Sequence, residues 1–129
     1  MSVDVEECVK TFMSAVNQLV GTSFEGTKDL RIALIEEEFT ELLEAIRWGD
    51  PVQIAKEIAD LVYVVVGTSV AFKIPFNEVF GAVCESNLSK LDEHGNVIKR
   101  ADGKILKSSN YKPAEPVIKE ILISKGVQV

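Results

Sequence analysis

Glu38 and Glu41 stand three residues apart, and Glu57 and Asp60 repeat that spacing further along the chain. On a helix at about 100° per residue, Leu34, Glu38, Glu41 and Ala45 share one stripe, with Ile35 and Leu42 beside it, so both acids fall inside an apolar arc. Glu57 and Asp60 do the same with Val64, Gly67 and Ala71, flanked by Ile54, Ile58, Leu61 and Val65. A carboxylate turned inward without a partner is costly, and converging carboxylates repel one another. The helical wheel directs Arg31, Arg47 and Lys56 away from these stripes, which leaves a metal ion as the simplest counter-charge. Carboxylates without His or Cys make an all-oxygen set suited to Mg²⁺, with Mn²⁺ as a substitute, and poorly suited to zinc or copper. Two other readings stay open on these residues alone. One is a solvated acidic face that Glu36, Glu37 and Glu44 extend; the other is a di-iron carboxylate bundle, whose Glu-x-x-His pairs neither motif supplies.

The elements that must position these acids are legible as helices. Val5, Cys8, Val9, Phe12, Met13, Val16, Leu19 and Val20 recur at three and four residue steps, which predicts a first helix over about 4–20, stopped by Gly21. After the turn-prone GTSFEGT, a second helix is expected from about Lys28 to Arg47, ending at Trp48-Gly49. Asp50, Pro51 and Gln53 form an N-cap, first-turn proline and capping-box arrangement that opens a third helix running to about Phe72. Lys73-Ile74-Pro75 breaks it, and Phe76, Val79, Phe80, Val83, Asn87 and Leu91 continue at helical spacing as a fourth. Residues 92–112 place Gly-containing turns before short β-prone runs, as in a small hairpin or ordered loop, and a last helix is expected from Glu115 to Lys125. The expected fold is all-α, of four-helix-bundle type, with a short C-terminal hairpin and a terminal helix, in one domain over 1–129.

Composition narrows the partners. The 129 residues carry 14 Lys and Arg against 20 Asp and Glu, a net charge of −6, which argues against nucleic acid because phosphate binding draws on clustered basic residues. Cys8 and Cys84 lie far apart in apolar helical patterns and read as reduced, buried thiols. The acidic N-terminus is unlike a signal peptide, and the longest apolar stretch, 61–72, is too short to span a bilayer, so the expectation is a cytoplasmic protein without a membrane partner.

Glu37-Glu38-x-x-Glu41 followed at a distance by Glu57-x-x-Asp60 resembles the signature of the MazG-like all-α nucleoside triphosphate pyrophosphohydrolases. Ser86-Asn87-Leu88-Ser89-Lys90, then Asp102-Gly103-Lys104-Ile105-Leu106-Lys107 and Asn110-Tyr111, resembles the subset with a nucleotide-covering C-terminal loop. The resemblance spans about 30–118. It implies Mg²⁺-dependent hydrolysis of a nucleoside triphosphate to monophosphate and pyrophosphate, with a deoxynucleotide such as dUTP or dCTP as substrate. It also implies Glu38, Glu41, Glu57 and Asp60 as metal ligands and Glu37 as the residue that orients or deprotonates water. Asn87 and Lys90 would contact sugar or phosphate, and Lys104, Lys107 and Tyr111 would close over the phosphates; end-of-helix capping and solvated loop lysines are the structural alternatives. The resemblance implies a base pocket against the first helix, where Asn17 or Gln18 could hydrogen-bond a pyrimidine edge, though a role as surface polar residues near a helix end fits them equally well; Trp48 is expected to pack the corner between helices two and three, with stacking on a base as the alternative. Phosphoribosyl-ATP pyrophosphohydrolase activity and a non-enzymatic helical dimer are the competing readings. Helix three is apolar nearly all round at 61–66, which predicts a homodimer or tetramer.

Overall fold

The computed structural model describes residues 2–16 and 24–129. Five helices and one short hairpin make up its regular structure: α1 (Val5–Ala15), α2 (Phe24–Trp48), α3 (Pro51–Ala71), α4 (Phe76–Leu88), β1 (Ile98–Lys99), β2 (Ile105–Leu106) and α5 (Glu115–Ser124). The fold is all-α, as the helical periodicity predicts. The chain divides into two compact units, Met1–Phe76 and Asn77–Val129.

In the first unit α3 packs against both α1 and α2. Its start follows the sequence signal: Asp50 caps the helix by accepting the Val52 N–H at 2.9 Å, with Pro51 in the first turn. Its end is made by Lys73, which takes φ 62° while the Ile74 N–H reaches back to the Ser69 carbonyl at 2.8 Å. α1 is capped by Asp4 on Glu7 N–H; the Leu19, Val20 and Gly21 end predicted for it lies outside the described residues, as do Asn17 and Gln18. α2 begins four residues before the expected Lys28. Phe24 packs against Phe72 with the rings tilted by 53° and their centroids 5.0 Å apart, and Lys28 lies over the Phe24 ring, so tertiary contact overrides the turn preference of Gly26 and Thr27.

Val9, Met13, Val66, Val70 and Ala71 form the core of this unit, with Tyr63, Phe72 and Phe76 packed around it. The buried positions of α2, Thr27, Arg31 and Ala45, fall on the stripe that also holds Leu34, Glu38 and Glu41. Arg31 meets Val64 and Thr68 near the end of α3, and Glu38 and Glu41 meet Glu57 near its start, so the two helices run antiparallel. α3 leaves Ile58, Val62 and Val65 exposed. Cys8 and Cys84 are both free and exposed, which corrects the expectation of buried thiols.

In the second unit α4 ends at Leu88, short of the expected Leu91, because the N–H groups of Lys90 and Leu91 bond three residues back and tighten the last turn. Ser108 Oγ lies 3.0 and 2.9 Å from the carbonyls of Ser89 and Leu91, and the Lys112 N–H donates to Ser89 Oγ, fastening the chain after the hairpin to the end of α4. The antiparallel strands pair Ile98 with Leu106 and Lys99 with Ile105. Their turn closes through Gly103 at φ +90°, and Asp102 accepts the Lys104 N–H. A 3.1 Å ion pair from Lys125 to Glu78 joins α5 to α4. Among the described residues no single helix is long and apolar enough to cross a membrane.

Candidate metal centre

The 3-4-3-4 spacing that sets Glu38 and Glu41 inside the apolar arc of α2 directs them against α3, where Glu57 is buried. One carboxylate oxygen from each of Glu38, Glu41 and Glu57 lies within 4.8 Å of the other two. Oε2 of Glu38 and Oε2 of Glu57 are buried and accept no hydrogen bond from the protein. Burial first, and then the neighbouring charges of Glu41, Asp60 and Glu57, push the Glu38 carboxyl above its ordinary range. Two orphaned carboxylate oxygens, one from each helix of the pair, are expensive unless a cation satisfies them. An all-oxygen set of this kind fits a hard divalent ion such as Mg²⁺ or Mn²⁺. Glu37, the next residue on α2, is exposed beside the cluster.

Asp60 stands apart from these three. Lys56 Nζ lies 2.6 Å from Asp60 Oδ2 and 3.5 Å from Glu57 Oε1, so the expectation that Lys56 projects away from the acids is corrected. The i,i+4 step from Lys56 to Asp60 carries the long lysine stem along the edge of the arc, which a wheel drawn from Cα positions does not register. Its hydrogen bond to Asp60 holds the Lys56 ammonium above the ordinary lysine range. Arg31 is corrected likewise: it is 5% exposed, on the same α2 stripe as the acids, with Nε 3.1 Å from Thr68 Oγ1 and Nη2 2.8 Å from the Val64 carbonyl.

A cleft of about 320 Å³ lined by Glu41, Glu44, Trp48, Asp50, Gln53 and Glu57 opens beside the cluster. Trp48, expected to pack the interhelical corner, is instead 88% exposed, because Gly49 at φ +80° and Asp50 turn the chain without covering it.

The remaining predicted residues belong to the second unit. Lys90 Nζ donates to Asn87 Oδ1 at 3.0 Å, the i,i+3 pairing their spacing allows. Lys107 Nζ sits 4.5 Å above the Tyr111 ring, and Lys104 is exposed at the start of β2's approach from the turn.

No curated protein matches the chain. A family model described as phosphoribosyl-ATP pyrophosphohydrolase matches residues 5–87, which takes in α1 to α3, most of α4 and every carboxylate of the cluster. The chain therefore belongs to the phosphoribosyl-ATP pyrophosphohydrolase family, within the MazG-like all-α superfamily.

Proposed function

We propose that the protein hydrolyses a nucleoside triphosphate between the α and β phosphates, giving the monophosphate and pyrophosphate, with Mg²⁺ held by Glu38, Glu41 and Glu57. The observation that carries this reading is the pair of buried, unsatisfied carboxylate oxygens on Glu38 and Glu57. When bound, the cation neutralises the carboxylates and the phosphates and acidifies a bound water. Glu37, exposed and one residue from the ligand arc, would take the proton of the attacking water. Asp60, paired with Lys56 in this structure, would complete the ligand set, and the Lys56 ammonium would then be free to meet phosphate. Lys90, Lys104 and Lys107 are assigned to the polyphosphate on their charge, with Asn87 and Tyr111 beside them. A deoxynucleotide such as dUTP or dCTP is the proposed substrate, and the reaction is placed in the cytoplasm, in a homodimer or tetramer.

The family description supports a second reading, in which phosphoribosyl-ATP is the substrate. Both predict pyrophosphate release, and one experiment separates them. Pyrophosphate and orthophosphate are followed separately over a panel of ribo- and deoxynucleoside triphosphates and phosphoribosyl-ATP, with Mg²⁺, a chelator control and Glu38→Gln. Chelator-sensitive pyrophosphate from one or two nucleotides, lost in the variant, is expected. Turnover of phosphoribosyl-ATP alone would favour the second reading. No turnover, with no metal-dependent change in melting, would overturn both.

A further inference from the structure

Glu38 and Glu41 sit between two buried positions of α2, Arg31 and Ala45. Ala45 has only a methyl to bury, and apolar contact is non-directional, so it cannot stop one helix sliding on another. Arg31 can. Its Nε donates to Thr68 Oγ1 at 3.1 Å and its Nη2 to the Val64 carbonyl at 2.8 Å, gripping α3 on two successive turns. Thr68 Oγ1 in turn donates to that same carbonyl at 2.9 Å, which closes a triangle of hydrogen bonds. A Cβ on Gly67 would lie 2.6 Å from Nη2, so only glycine at this position lets the guanidinium lie against α3. Burial alone weakens the hold of Arg31 on its proton, with no carboxylate contributing. A cation buried without an acid is a poor stabiliser, and what its directional bonds supply is register.

That register places the acids. Arg31 stands seven residues before Glu38 on α2, and Val64 stands seven residues after Glu57 on α3. The helices run antiparallel, so the two arms have the same rise, about 10 Å, and the bond from Arg31 to Val64 brings Glu38 level with Glu57. A slip of one turn, about 5 Å, would pull apart carboxylate oxygens that now lie within 4.8 Å of one another. Repulsion among the three acids favours such a slip whenever no cation is present. Mg²⁺ is exacting about ligand placement, taking oxygens at about 2.1 Å in a near-ideal octahedron, whereas Ca²⁺ accepts looser geometry.

We propose that Arg31 is a positioning residue of the metal centre, holding α2 in the register on α3 that sets Glu38 and Glu41 against Glu57. The assignment rests on the Mg²⁺ site proposed above. Arg31→Met removes both bonds with a side chain of similar length, and the Val64 carbonyl keeps Thr68 Oγ1 as a donor, so the urea midpoint in chelator should stay near that of the wild type. Calorimetry on the full chain without nucleotide should show Mg²⁺ affinity falling about ten- to a hundred-fold, as when residues that orient metal ligands are removed, and Ca²⁺ affinity falling less. Thr68→Val takes away one acceptor with little change of shape, and it keeps the question answerable if Arg31→Met folds poorly; it should lower Mg²⁺ affinity in the same sense. The double variant should bind no more weakly than Arg31→Met, because both substitutions cut the same contact. Mg²⁺ affinity unchanged in both single variants would overturn the proposal. Equal losses of Mg²⁺ and Ca²⁺ with a lower urea midpoint would overturn it too, being the mark of general loosening. No binding of either ion by the wild type would overturn the metal centre and the positioning role together. The expected losses in a chain that hydrolyses no nucleotide would support the positioning role while ending the hydrolase reading.

Discussion

Glu38 is where burial and charge act together most directly. Its carboxyl is raised by desolvation and by Glu41, Asp60 and Glu57, so the folded chain holds a proton there more tightly than the unfolded chain does. A raised acid costs the folded state stability once it ionises, so in chelator the melting temperature should climb as pH falls from above the raised Glu38 value toward the ordinary glutamate range. Mg²⁺ competes with that proton, and the Mg²⁺-induced rise in melting should grow with pH; a rise independent of pH would count against Glu38 as a ligand. Glu38→Gln should melt higher than wild type in chelator, by relief of repulsion, and should gain little from Mg²⁺. Lys56→Met should leave the melting temperature in chelator nearly unchanged, because the pair to Asp60 is exposed, while tightening Mn²⁺ binding measured by calorimetry. Unchanged Mn²⁺ affinity would mean that Lys56 does not compete for Asp60.

At the scale of elements, the packing of α2 on α3 turns on one close approach. Gly67→Ala forces Arg31 Nη2 off its position and should cost about 1–3 kcal/mol, read as a lower urea midpoint. Gly81→Ala is the contrast: no atom lies within 4 Å of its Cβ position on exposed α4, so helix propensity alone should stabilise by about 0.5–1 kcal/mol. The helices and their caps were legible because 3.6-residue periodicity and Asp50-Pro51 are local signals. The start of α2 was not, since the Phe24–Phe72 ring contact that fixes it joins residues far apart in sequence. The inward acids were readable from the same periodicity, and so was Arg31, which the helical wheel was read as turning away although positions 27, 31, 34, 38, 41 and 45 step by four and three. Trp48 and Lys56 depend on where the chain turns and how a long stem lies, which spacing does not encode.

Over the whole molecule, charge and apolar surface divide differently. The acidic excess lies in 1–76, where the carboxylates gather, while 77–129 carries one more basic than acidic side chain. A triphosphate meeting the first unit without a cation would be repelled, so nucleotide affinity should collapse in chelator rather than weaken gradually. The exposed apolar side chains follow no such division within α3. Ile58, Val62 and Val65 lie outward, and Val3, Val5, Cys8, Ala59, Val62 and Tyr63 border an apolar hollow of about 290 Å³ between α1 and α3. Contiguous apolar surface of this kind marks an interface in soluble chains. If a second copy covers it, light scattering should give a mass at least twice that of one chain, and Val62→Asp should lower that mass and the melting temperature together, because the new charge would be buried without a partner. The mass of one chain for the wild type would overturn the oligomer, and a variant that stays assembled would move the interface away from this face.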